Sequence, residues 1–194
     1  MDNQTISDSQ RKLNEELHKS RPDFGSRGGA GNQGVIEIIG RYKDLGMIGS
    51  VLDYGTGKGA FPKSLKKAHP DVKVGAYDPA VQIYNKKPSI EFDLVTSFDV
   101  LEHVEIDYLD NVLDDLKSLI VKLGILCIST RPAKKFLSDG RNAHIIQAPI
   151  SWWMLKICER FDLEAFNKIN EQGTKSHGFW VLVKPKKQTV KINS

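Results

Sequence analysis

Val51-Leu52-Asp53-Tyr54-Gly55-Thr56-Gly57-Lys58-Gly59-Ala60 is the stretch that decides the fold. Residues 51–54 read as a short strand. The glycines behind them allow a sharp turn, and residues 59–68 resume at helical spacing. Glycines there also let a ligand approach the helix N-terminus with no Cβ in the way. Working outward, strand and helix alternate: strands at 72–77 and 92–97, a helix at 109–123, a strand at 124–129, a long loop at 131–148 and a helix at 151–161. Two final strands, 164–169 and 178–183, close the chain. Upstream, Val35, Ile36, Ile38, Ile39, Tyr42 and Leu45 give a helix with Asn32 as its N-cap. Leu13 and Leu17 mark a short helical pattern within residues 1–20. Between the two lies Arg21-Pro22-Asp23-Phe24-Gly25-Ser26-Arg27-Gly28-Gly29-Ala30-Gly31, whose four glycines in residues 25–31 read as a mobile connector. No internal repeat is present.

This alternation predicts a doubly wound, mostly parallel α/β sheet covered on both faces. Ligands of such sheets lie beyond the carboxyl ends of the strands. The loops after Tyr54, Tyr77, Ser97 and Ser129 should therefore ring one crevice. The expected organisation is an N-terminal helix with connector or lid at 1–31, a ligand-binding domain at 32–184 and a basic tail at 185–194.

Composition narrows the function classes. The 194 residues suffice for one domain with a real core, and 40% hydrophobic against 27% charged residues is a globular balance. Cys127 and Cys158 have no CxxC spacing and sit among apolar neighbours, which argues against a disulfide framework or a cysteine zinc site. No apolar run approaches the roughly 18 residues of a membrane span, and the N-terminus lacks a signal-peptide pattern, so a cytoplasmic protein is expected. The net charge of +4 is mild and gathers in Lys184-Pro185-Lys186-Lys187 and Lys191. A solvated C-terminus accounts for it, and a nucleic-acid partner is possible but not favoured, because no basic face interleaved with aromatics accompanies it.

The glycine loop has two rival readings. Gly55, Gly57 and Ala60 satisfy the dinucleotide fingerprint, and Asp78 follows Ala60 by 18 residues, where an acid binds ribose hydroxyls. A carboxylate there accepts from a cis-diol whichever nucleoside carries it. Asp53 tips the balance: just ahead of the glycines it would repel a pyrophosphate and welcome an ammonium group. The acids in Phe98-Asp99-Val100-Leu101-Glu102-His103-Val104 are likewise mismatched to a phosphate-rich ligand.

At these residues the chain resembles the class I S-adenosylmethionine-dependent methyltransferases. Residues 51–59 are similar to their first motif, Tyr77-Asp78 to the acid ending their second strand, and Asp99-Val100-Leu101-Glu102-His103-Val104 to the motif opening their fourth helix. The likeness spans roughly residues 32–184 and implies a Rossmann-like sheet with an antiparallel final strand. It also implies S-adenosylmethionine as cofactor, with Asp53, Tyr54, Gly55 and Gly57 around its methionine part, Asp78 on the ribose, and Ser97 and Phe98 flanking the sulfonium. One departure stands out. Only 15 residues separate Asp78 from Asp93, too few for the helix and strand the family places there. The third, edge strand is thus expected to be missing, and the Gly25–Gly31 connector is a candidate to fold over the donor instead.

Methyl transfer needs alignment, exclusion of water and often removal of the acceptor's proton. Candidates for that work are His144, in the loop at 131–148, and Asp99, Glu102 and His103; for Glu102 and His103, capping and hydrogen-bonding at a helix start is the plainer role. Asp99, Glu102 and His103 stand at i, i+3 and i+4, which on a helix puts them on one face. With His144 they resemble the ligand set of metal-dependent O-methyltransferases of ubiquinone synthesis and of small-RNA 3′ ends, for which Mg²⁺ or Mn²⁺ is implied. Successive Trp152 and Trp153 offer one ring to the core, leaving the other for packing or as a wall of the acceptor pocket. The expected activity is methyl transfer to an oxygen, less readily a nitrogen, of a small polar acceptor. The alternatives are a metal-dependent RNA 2′-O-methyltransferase and a non-catalytic donor-binding module.

Overall fold

The computed structural model describes residues 4–26, 30–169 and 177–187. Six strands form one sheet in the order β2 (Lys73–Tyr77), β1 (Ser50–Tyr54), β3 (Phe92–Phe98), β4 (Ile120–Ser129), β6 (Gly178–Pro185) and β5 (Phe161–Ile169). The first four are parallel, and β6 runs antiparallel to both β4 and β5. This is the expected doubly wound sheet. Between β2 and β3 the chain makes only a single 3-10 turn, Gln82–Tyr84, so the edge strand is indeed missing.

Helices cover the two faces unequally. On one side α4 (Ile106–Leu119) and α5 (Ile150–Arg160) close a core over β3, β4 and β6 that contains Leu109, Leu113, Leu116, Trp153, Ile157, Val95, Leu126, Phe179 and Val181. On the other, α2 (Ala30–Asp44) and α3 (Ala60–Ala68) cover β1, β3 and β4 through Ile36, Ile39, Phe61, Leu65, Val51, Leu94 and Ile125. Each such side chain taken fully from water contributes about 1.5–3 kcal/mol before chain entropy is counted. The first helix, α1 (Asp8–Ser20), is capped by the Ser7 hydroxyl, which accepts from the Gln10 amide. It packs Leu17 with Leu137, Ala143 and Phe24. Arg141 and Ser138 reach back from the 131–148 loop to Gln10 and Glu16, so α1 and that loop form one wall.

Several boundaries differ from the sequence reading, each for a physical reason. The helix expected over 109–123 occupies Ile106–Leu119, and β4 begins at once at Ile120. Ile120-Val121-Lys122-Leu123 is apolar enough for either period, and pairing of Phe92 with Ile120 and of Leu94 with Leu123 draws it into the sheet. Helix α2 starts at Ala30, so Asn32 lies inside it and is not its N-cap, and the connector is shorter than residues 21–31. Positions 27–29 of that connector lie outside the described residues. Trp153 is fully buried and Trp152 packs edge-on against it at 5.1 Å, so both serve the core and neither walls the site cavity. Cys127 and Cys158 are free thiols. Lys184, at the end of β6, pairs with Glu164, and residues 188–194 of the basic tail lie outside the described residues. Among the described residues no helix is long and apolar enough to cross a membrane.

Candidate active site

A cavity of about 580 Å³ opens beyond the carboxyl ends of β1, β2, β3 and β4, where the topology places it. Of the cofactor residues expected from sequence, Asp53, Tyr54, Gly55, Gly57, Asp78 and Phe98 line it. Ser97 does not. Successive strand side chains point to opposite faces, and Phe98 stacks edge-on with Phe61 on the α3 side at 5.2 Å, so Ser97 is turned into the interior below α4.

The two acids at the strand ends are buried and held. Asp53 accepts the Thr96 hydroxyl at 2.8 Å. Asp78 accepts the amides of Gly57 and Ala80, each at 2.9 Å, and faces His18 Nε2 at 3.9 Å. Burial raises the Asp78 carboxyl above the ordinary carboxylate range, while the charge of His18 and the Ala80 and Gly57 amides pull it down. Burial likewise lowers His18, opposed by Asp78. Tyr54 lines the cavity, and its hydroxyl donates to Asp115 at 2.9 Å, with Lys87 on the other carboxylate oxygen at 2.9 Å. Thr56 Oγ1 is buried in the lining and has no hydrogen-bond partner among the described residues.

The N-terminal segment is folded onto the glycine loop. Lys58 N donates to Gly25 O at 2.8 Å, and Lys58 Nζ bridges the carbonyls of Arg21 and Pro22, both at 2.8 Å. Gly57 has φ +54°, and a Cβ there would stand 2.6 Å from Gly25 Cα, so glycine serves both the turn and the close approach of this segment. Phe24 stacks between His18 at 4.6 Å and His103 at 5.5 Å. His18 and Phe24 were missed in the sequence. Their only local signal is that His18 follows the buried Leu17, and the glycines beyond Phe24 made its surroundings read as linker.

On the acceptor side Asp99, His103 and His144 line the cavity, together with Arg131 and Lys135. Asp99 adopts φ +54°, a left-handed conformation that Asp tolerates better than most residues, and its amide donates to Cys127 O at 2.9 Å. His144 Nδ1 lies 2.6 Å from Arg131 O, and His103 Nδ1 lies 2.6 Å from Ala143 O. A carbonyl oxygen only accepts, so each Nδ1 carries the proton and each neutral ring keeps its lone pair on Nε2. The two rings meet edge to face at 4.8 Å. Burial, with His144 nearby, pushes His103 down to about 3. Burial also lowers His144, against the pull of the Arg131 carbonyl and of the Asp99 charge.

Glu102 stands apart from the cavity. It is fully buried and its Oε1 accepts the Ser129 amide at 2.7 Å, tying the Leu101–His103 3-10 turn to the end of β4. The single shared face expected for Asp99, Glu102 and His103 does not form, because Asp99 precedes that turn in a left-handed conformation. Among the described residues no group of three or more His, Cys, Asp or Glu is placed to hold a metal ion. The donors present do not fit a Mg²⁺ or Mn²⁺ site.

They do fit an S-adenosylmethionine-like donor. Two buried carboxylates at adjacent strand ends can accept hydrogen bonds from an ammonium and a diol, and an orphaned hydroxyl and a glycine turn lie between them. Over residues 7–172 the chain matches the family described as Methyltransferase domain. None of the curated proteins matches it. Among solved structures it is similar to the N-methyltransferase NodS from Bradyrhizobium japonicum WM9 in complex with S-adenosylhomocysteine, with TM-score 0.61 and 14% identity over 93% of this chain and 100% of that one. It is also similar to magnesium protoporphyrin IX methyltransferase from Synechocystis PCC 6803 with bound S-adenosylhomocysteine, with TM-score 0.62 and 14% identity, covering 90% and 99%. A third is the Burkholderia thailandensis 1,6-didemethyltoxoflavin-N1-methyltransferase, with TM-score 0.64 and 14% identity, covering 91% and 87%.

Proposed function

Because the chain belongs to the methyltransferase-domain family and is an S-adenosylmethionine-dependent methyltransferase, we propose that it methylates an oxygen of a small-molecule acceptor, with His144 as general base. When bound, the donor supplies an already activated methyl group on sulfur. The protein's share is to bind, align, exclude water and move one proton.

Asp53 and the Gly55–Gly57 turn would take the amino-acid end of the donor and Asp78 the ribose diol, with Phe98 against the reacting end. The segment around Phe24 and Gly25, already hydrogen-bonded to Lys58, would close the cavity against water. His144 Nε2 would accept the acceptor's hydroxyl proton as the methyl arrives, while Arg131 O and Asp99 stabilise the imidazolium that forms. Glu102 acts as a positioning residue through Ser129. His103, held neutral with its proton on Nδ1, would offer only its Nε2 lone pair to the acceptor group and is a poor proton reservoir.

The observation that carries this reading is the placement of His144, its Nδ1 tied to the Arg131 carbonyl, in the cavity that also holds the two strand-end acids. Incubating the protein with methyl-labelled S-adenosylmethionine and a fractionated cell extract should label a low-mass fraction. His144→Ala should slow that transfer by about 10²–10⁴. Label confined to RNA or protein fractions, or none at all, contradicts the reading.

A further inference from the structure

A second cavity, about 620 Å³, lies on the opposite flank of Phe98, on the side of the sheet where helix cover stops short. Strand β6 sends Phe179, Val181 and Val183 into the core beneath α5, so Trp180 and Leu182 must point the other way. Register places Leu182 beside Ile125 and Ala165, and Trp180 beside Cys127 and Asn167, on this same face. The core beneath α2 and α3 reaches only as far as β4, with Leu182 packed at its margin. Among the described residues no helix lies over β6 and β5 on this side, and the facing wall is formed by Val35, Ile38 and Tyr42 of α2 and by Leu45 in the turn after it. Leu45 is 72% and Ile38 38% exposed. Among the described residues that line this cavity only Arg41 carries a charge.

The position of the groove matters more than its character. Phe98, Cys127 and Ile169, at the carboxyl ends of β3, β4 and β5, line both this groove and the catalytic cavity. The groove therefore adjoins the catalytic cavity at these three residues, away from Asp78. Its volume lies within the range of small-molecule sites, and its lining lacks the ring of hydrogen-bonding groups a sugar or nucleotide would need. We propose that it holds the apolar tail of the methyl acceptor. The substrate class is then an amphipathic molecule, with a hydroxyl-bearing head at His144 and an extended apolar tail running between α2 and the β6–β5 face. This rests on the methyl-transfer reading above and narrows its acceptor.

The test uses a series of 4-alkylphenols, from methyl to octyl, titrated calorimetrically into the full chain saturated with S-adenosylhomocysteine, where no turnover occurs. Affinity should rise about fourfold for each methylene until the groove is full. The rise should flatten in Ile38→Glu, on the exposed side of α2, and in Leu182→Glu, with S-adenosylhomocysteine affinity as the check that each variant is folded. Trp180 emission should shift with the longer tails. Affinity that does not depend on tail length, or a dependence as steep in both variants as in the parent, overturns the proposal. So does sedimentation showing a dimer that Ile38→Glu dissociates, with tighter alkylphenol binding by the freed monomer, since a second copy then occupies the groove. Intact length dependence with no methyl transfer to any acceptor would instead overturn the methyl-transfer reading, and with it the acceptor as occupant, while leaving a groove for apolar tails.

Discussion

Proton transfer at position 144 needs a neutral imidazole, and burial supplies it by holding His144 below its ordinary 6.5. With His144 as base, kcat/KM is expected to rise with pH through a value below about 6.5 and level off above it. The Asp99 charge pulls in the opposite direction, favouring the imidazolium. Asp99→Asn should therefore move the rising limb to lower pH while Asn, which also tolerates the left-handed backbone, keeps the turn. A limb that does not move in the pH profile of that variant, or that lies above 7 in the parent, contradicts the assignment. At this scale much was legible. Asp53 and Asp78 at strand ends, and His144 in the loop beyond β4, stand out because charged or titratable residues at the carboxyl edge of an α/β sheet have little structural excuse. Ser97 did not separate from its neighbours, since which side of β3 meets the cavity depends on the packing of Phe98 on Phe61, and Glu102 did not, since its partner is the Ser129 amide at the end of β4; both are contacts between distant segments.

The glycine loop and the N-terminal segment act as one element. Lys58 binds the carbonyls of Arg21, Pro22 and Gly25, and the φ of +54° at Gly57 leaves room for Gly25. Gly57→Ala imposes a left-handed alanine, at about 1–2 kcal/mol, and also drives a Cβ into Gly25. Chemical denaturation should show a loss of about 1–3 kcal/mol, and limited proteolysis should cut near residues 21–26 faster than in the parent. Unchanged stability and cleavage would mean that the segment does not depend on this contact. Sequence periodicity found the helix–strand alternation because strands β1 to β4 are apolar and end at turn residues. It misplaced the junction of α4 and β4 because Ile120–Leu123 suits both periods and only pairing with β3 decides. It left the Gly25–Gly31 connector between linker and lid, because glycines mark a turn without saying what the turn packs against.

For the whole molecule, the burial that shapes the site also sets its acid sensitivity. His103 titrates at about 3 in the folded protein against about 6.5 when unfolded. Between these values the unfolded chain holds a proton the folded chain refuses, so stability falls as pH drops through that window, by about 1.4 kcal/mol per pH unit. Urea denaturation at pH 7 and pH 5 should differ by about 2 kcal/mol from this group. The difference should shrink in His103→Gln, which isolates it from Asp78, whose raised carboxyl works in the other direction. Equal pH dependence in the two proteins contradicts the burial of a neutral His103. The central claim, that the strand-end acids hold an S-adenosylmethionine donor, is tested most directly by calorimetric titration of S-adenosylmethionine and of NAD into the protein and into Asp78→Ala. S-adenosylmethionine should bind the parent and bind Asp78→Ala about 5- to 150-fold more weakly, the loss of about 1–3 kcal/mol for a charge-assisted ribose contact. Tight NAD binding with no S-adenosylmethionine binding, or equal affinity of both proteins for S-adenosylmethionine, would contradict it.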